Sequence, residues 1–141
     1  WSIEALRSGG LLLINDYVGP TRLQWSSSEV ALARRFLDAE KDIISGCAED
    51  LKNKTLLSRW RQKVRDPSEA PQSDRIIPSF EARTGATMTL LGGSMIHICG
   101  PFVTPHEEDH PDLLERLIAW DQEVLEREGL SHFAFGLWRK P

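Results

Sequence analysis

The sequence predicts an α/β domain of about three strands with helical insertions, and three segments carry that reading. Residues 11–18, Leu-Leu-Leu-Ile-Asn-Asp-Tyr-Val, begin apolar without alternation and end polar, the pattern of a strand covered on both faces. Leu113, Leu114, Leu117, Ile118, Val124 and Leu125 recur at helical spacing between Pro111 and Gly129. Residues 133–138 then read as a closing strand. A length of 141 residues suits one domain, 1–141, large enough to bury a modest core.

Taken in order, the chain opens on Trp1 rather than methionine. Ile3 and Leu6 sit three apart, and Gly9-Gly10 then closes what reads as a helix already under way, so a partial domain is expected. The apolar strand over 11–18 is expected in the middle of a parallel sheet with helices on both sides. Gly19-Pro20 ends it, because proline cannot donate to a ladder. Ser26, Ser27 and Ser28 offer N-caps for a helix over 29–41, with Val30, Ala33, Phe36 and Leu37 as its apolar stripe.

Residues 43–66 allow one or two short helices through Leu51, Leu56, Leu57, Trp60 and Val64. The basic cluster Arg59, Arg61, Lys63 and Arg65 surrounds Trp60. It reads as a solvated helix face with Trp60 turned inward, the alternative being a phosphate or nucleic-acid site. Asp66-Pro67 signals a turn. Ser73 or Asp74 should cap a short helix over 75–83, interrupted at Pro78. Residues 87–91 read as a strand between Gly85 and Gly92-Gly93. Residues 95–99 are apolar but ambiguous, and residues 101–111 hold three prolines and read as a loop. About three strands cannot form a complete doubly wound sheet, so the first strand needs neighbours from elsewhere.

Composition narrows the partners. A formal net charge of −4 and the lack of a basic stripe argue against nucleic acid. The apolar runs fall far short of a membrane span, and no signal-peptide pattern opens the chain, so a cytoplasmic protein without a membrane partner is expected. Cys47 and Cys99 are too few for a disulfide framework and read as reduced thiols.

Two constellations could carry chemistry. His106-Glu107-Glu108-Asp109-His110 matches H-E-x-x-H, which serves zinc hydrolases when a helix places both imidazoles on one face. Here Pro105 and Pro111 flank it, and proline disfavours helix in the residue before it. A polar loop with Asp109 or His110 capping the next helix is the preferred reading, and a zinc-dependent hydrolase using His106 and His110 is a distant alternative. His97 and Cys99 have metal-like spacing, but two ligands do not make a site. No G-x-S-x-G, P-loop or G-x-G-x-x-G is present.

The second constellation is the polar end of the first strand. In open α/β sheets ligands bind outside the carboxyl ends of strands. Asp16 could accept a hydrogen bond from a hydroxyl or amine, Tyr17 could stack or donate, Arg22 could pair with a carboxylate or phosphate, and Trp25 could wall a pocket. The competing reading is strand-end polarity with Trp25 in the core.

These residues carry a family resemblance. Leu6-Arg7-Ser8-Gly9-Gly10-Leu11-Leu12 is similar to the L-(K/R)-P-G-G-x-L element preceding the fifth strand of class I S-adenosylmethionine-dependent methyltransferases, with Ser8 in place of proline. Residues 15–26 resemble a subgroup with the stretch N-E-Y-V-G-P-x-R-x-Q-W, with Asp16 in place of Glu. Residues 66–70 and 133–135 resemble later parts of the same subgroup.

The resemblance covers the whole chain but only the second half of such an enzyme. It implies the C-terminal portion of a Rossmann-like sheet, including an antiparallel hairpin, that faces the substrate. The glycine-rich loop, the acidic second-strand end and the contacts near the fourth strand that hold S-adenosylmethionine in that family lie in the other half. The implied function is methyl transfer to an acceptor, completed by a missing N-terminal half or a partner chain, with no cofactor expected on this chain alone. A non-catalytic remnant acting as an interaction module is the alternative. No catalytic residue carries over.

Overall fold

A computed structural model describes residues 3–44 and 70–141. The basic cluster around Trp60, the Asp66-Pro67 turn and Cys47 lie outside the described residues. Ile3–Ala5 form a 3-10 turn where the spacing of Ile3 and Leu6 had suggested an α-helix. Lys140 Nζ donates to the carbonyls of Ile3 and Leu6 at 3.2 and 2.8 Å, which ends the turn from outside. Gly9, at φ +76°, and Gly10 then turn the chain into β1, Leu11–Tyr17.

The sheet has three strands among the described residues: β1, β2 (Thr89–Gly92) and β3 (Phe133–Arg139), in the order β1-β3-β2. β3 is antiparallel to both neighbours, from Leu11↔Arg139 to Tyr17↔Phe133 on one side and Thr89↔Phe135 to Gly92↔Phe133 on the other. β1 and β2 therefore point the same way without touching. This corrects the expectation for β1: its pairing with β3 is antiparallel rather than parallel, and among the described residues it stands at an edge of the sheet. Its apolar run has one covered face. Ile14 is 9% exposed, whereas Leu11 and Leu13 are 54% and 62% exposed. The cause is supply, since β3 closes one edge and no described strand closes the other.

Helix α1, Ser27–Ala39, begins with a capping box. The Glu29 N–H donates to Ser26 Oγ at 3.2 Å, and the Ser26 N–H donates to Glu29 Oε2 at 2.6 Å. Helix α2, Ile76–Thr84, follows a 3-10 turn at Ser73–Arg75. Pro78 does not interrupt it, because its third position is one whose N–H has no helical acceptor. Helix α3, Ser94–Val103, resolves the ambiguous segment as helix and extends into the residues expected as loop. Pro101 removes one hydrogen bond. Phe102 and Val103, 7% and 1% exposed, keep the chain helical by packing inward. Helix α4, Asp112–Glu128, has Pro111 at its N-cap and no side-chain cap, so neither Asp109 nor His110 plays that part. The Leu113 N–H instead donates to the His110 carbonyl at 3.0 Å.

Helices α1, α3 and α4 enclose the main core, around Phe36, Leu37, Met95, Ile98, Leu113 and Leu117. Each such side chain, fully buried, stabilises the fold by about 1.5–3 kcal/mol. Phe80 of α2 covers one face of the sheet at Gly136, where a Cβ would stand only 3.0 Å from its ring. On the opposite face Leu11, Leu13 and Leu137 are exposed.

Candidate functional site

The shared direction of β1 and β2 brings their carboxyl ends, Tyr17 and Gly92, to the two sides of Phe133. A cavity of about 770 Å³ opens at that end. Its volume falls within the usual range for small-molecule sites. Asp16, Tyr17, Phe133 and His97 line it from the sheet and α3, while Ser73, Arg75, Ser79 and Arg83 line it from α2 and the turn before it. The opposing walls are tied together. Ser73 Oγ donates to the Gly19 carbonyl at 2.8 Å in a buried bond, and Thr21 Oγ1 donates to Asp74 Oδ1 at 2.6 Å.

An aromatic cluster backs the cavity. The Tyr17 ring meets His97, His132 and Phe133 edge to face at 5.4, 5.5 and 5.8 Å, and His97 meets His132 at 5.5 Å. The Tyr17 hydroxyl donates to the Pro20 carbonyl at 3.2 Å. Gly19 permits this packing, since a Cβ there would stand 2.6 Å from the Tyr17 hydroxyl and 2.7 Å from the His132 ring. His132 Nε2 lies 2.8 Å from Glu29 Oε1, and both side chains are almost fully buried. The Glu29 carboxylate thus closes the capping box of α1 with one oxygen and holds His132 with the other. Burial alone would raise its pKa, but the hydrogen bonds from His132 and Ser26 outweigh burial and hold it below its ordinary value. Burial, then the neighbouring His132, pushes His97 below the ordinary histidine value. Both effects favour the neutral form of His97.

His97 owes its place to the start of α3, which has no cap of its own. The buried Asp121 carboxylate of α4 supplies one, accepting the N–H groups of Gly93 and Met95 at 2.6 Å each. Gly92 and Gly93 both have φ +82°, and their missing side chains leave room for Asp121 and Phe133 respectively. A side chain at either glycine would therefore collide with Asp121 or Phe133. The other strand-end turn, at Gly19-Pro20, is filled by Tyr17 and His132.

Asp16 and Tyr17 thus line the cavity, with the Asp16 carboxylate oriented by the Tyr17 N–H at 2.8 Å. Trp25 does not line it. Its ring lies behind His97 at 6.2 Å and packs against the helical core. The Arg22 backbone belongs to the 3-10 turn Thr21–Leu23, and its side chain lies outside what is described. His106 ends a 3-10 turn, and the His110 N–H donates to the His106 carbonyl at 2.8 Å, so the H-E-x-x-H residues form one turn between prolines rather than part of a longer helix. Among the described residues, no group of three or more His, Cys, Asp or Glu could hold a metal. Burial, then the Asp121 charge, pushes the Cys99 thiol up to about 12, which keeps it protonated and inert. Also among the described residues, no helix is long and apolar enough to cross a membrane.

Sequence reasoning missed Glu29, His132, Asp121, Arg75 and Arg83, and it weighed His97 only as a metal ligand. The one local signal was the S-x-x-E spacing of Ser26 and Glu29. No protein family, curated protein or solved structure matches the chain.

Proposed function

We propose that this chain is the acceptor-binding half of an S-adenosylmethionine-dependent methyltransferase. The single observation that carries the reading is the cavity at the joint carboxyl ends of β1 and β2, where ligands sit in open α/β sheets. The resemblance of residues 6–26 to the methyltransferase subgroup supports it from the sequence side. The open edge of β1 and the exposed Leu11, Leu13 and Leu137 support it from the packing side, since further strands and helices would cover them. The cofactor half then belongs to an upstream segment or a partner chain.

S-adenosylmethionine would supply the electrophilic methyl group, and its binding elements belong to that other half. The residues of this chain bind and orient the acceptor. Asp16 accepts a hydrogen bond from an acceptor hydroxyl or amine, with its carboxylate fixed by the Tyr17 N–H. Tyr17 walls the site and His97 stands neutral beside it.

A second reading, a non-catalytic interaction module, is favoured by the same open strand edge and exposed leucines. Asp16→Ala in the complete enzyme separates the two. Methyl transfer should fall roughly tenfold or more with cofactor affinity nearly intact, the effect of losing a hydrogen bond of about 1.5 kcal/mol to a charged group. Unchanged turnover by a folded variant, or loss of the thermal transition, would remove Asp16 from acceptor binding.

A further inference from the structure

We propose that the cavity binds a small organic anion, a carboxylate or phosphate ester, held between Arg75 and Arg83 with the His97 ring as an added donor. This rests on reading the cavity as the acceptor site and names the class of acceptor. Arg75, Ser79 and Arg83 recur at four-residue spacing, so they share one side of α2 and the turn before it, and all three line the cavity. Among the described residues neither arginine has an acidic partner, whereas Arg116 and Arg127 are each paired with carboxylates. Among the described residues the wall thus presents two guanidiniums against one carboxylate, Asp16. Guanidinium groups match carboxylate and phosphate geometry by paired hydrogen bonds.

His97 adds to the donor set. Its Nδ1 is buried and has no hydrogen-bond partner among the described residues. A neutral imidazole carries its proton on one ring nitrogen and can donate it. A ring kept neutral by burial then offers an N–H without adding charge. Asp16 completes the pattern at the strand end by taking a hydroxyl or amine of the same ligand.

The test uses the full chain, titrated at fixed ionic strength with inorganic phosphate and separately with malonate, while the histidine ring nitrogens are followed by NMR. Saturable shifts of the His97 ring are expected at up to about 50 mM probe, which reaches millimolar dissociation constants. Arg75→Ala and Arg83→Ala should each weaken binding about tenfold, the loss of one charge-assisted contact. Arg7→Ala, outside the cavity, should leave it unchanged. Both arginines are exposed, so an unaltered thermal transition is expected alongside. Stronger binding of phosphate supports a phosphate ester, and stronger binding of malonate supports a carboxylate. No saturable His97 shift with either probe overturns the proposal, as does equal weakening by Arg7→Ala. The titration needs no cofactor, so an enzyme that fails to transfer methyl groups while binding these anions counts against the methyltransferase reading and not against the anion site.

Discussion

Replacing Asp121 with alanine should loosen the helix that carries His97. The carboxylate is 3% exposed and accepts two N–H groups at 2.6 Å, from Gly93 and Met95. It also lies where the dipole of α3 is positive. Each hydrogen bond to a charged group is worth about 1.5–3 kcal/mol, so losing both, with some relief from no longer burying a charge, should cost roughly 3–5 kcal/mol. For a chain of this size that lowers Tm by about 10–20 °C. Asp121→Asn keeps one acceptor and should lose about half as much. Thermal and denaturant unfolding followed by circular dichroism give these values, and hydrogen exchange of the Met95 amide locates the effect. If Asp121→Ala unfolds within about 1 kcal/mol of the parent, with Met95 still protected, the remote cap does not hold α3.

Stability should fall as the solution is made acidic. His97 is held below its ordinary 6.5 and Glu29 below its ordinary 4.5, so in both cases the unfolded chain takes up a proton at a higher pH than the folded chain. The His97 contribution is lost as pH drops from 6.5 through its folded value, and that of Glu29 as pH drops from 4.5 through its own. Denaturant midpoints should decline through both windows, and Glu29→Gln should flatten the lower one; a midpoint that rises on acidification contradicts this. His106 and His110 should not hold zinc together, and metal analysis after zinc incubation should give substoichiometric content. A structure with both imidazoles on one ion, about 2.0–2.1 Å from each nitrogen, would refute that.

The elements set by local chemistry were readable in the sequence. The serine cap and stripe of α1 place it to within two residues at each end, and the stripe of α4 between Pro111 and Gly129 places that helix to within one. The polarity change along residues 11–18 marked the strand end where the cavity opens, which is why Asp16 and Tyr17 could be singled out. What could not be read depends on partners distant in sequence. A run such as Leu-Leu-Leu-Ile reports that burial is favourable but not which elements provide it, so a parallel neighbour was expected where β3 pairs antiparallel. Pro101 argued for a loop because the packing of Phe102 and Val103 that overrides it is tertiary. Glu29 and His132 are 103 positions apart and Asp121 lies 28 beyond Gly93, so no local pattern links them.

The most direct test of the central claim is calorimetric titration with S-adenosylmethionine. It should be run on this chain and on the polypeptide that includes the residues encoded upstream of Trp1 or, failing those, on the complex with the cofactor-bearing partner. The claim requires weak or no binding by this chain and a dissociation constant of about 10 μM or tighter for the completed protein. Low-micromolar binding by this chain alone, or no binding by the completed protein, would contradict it.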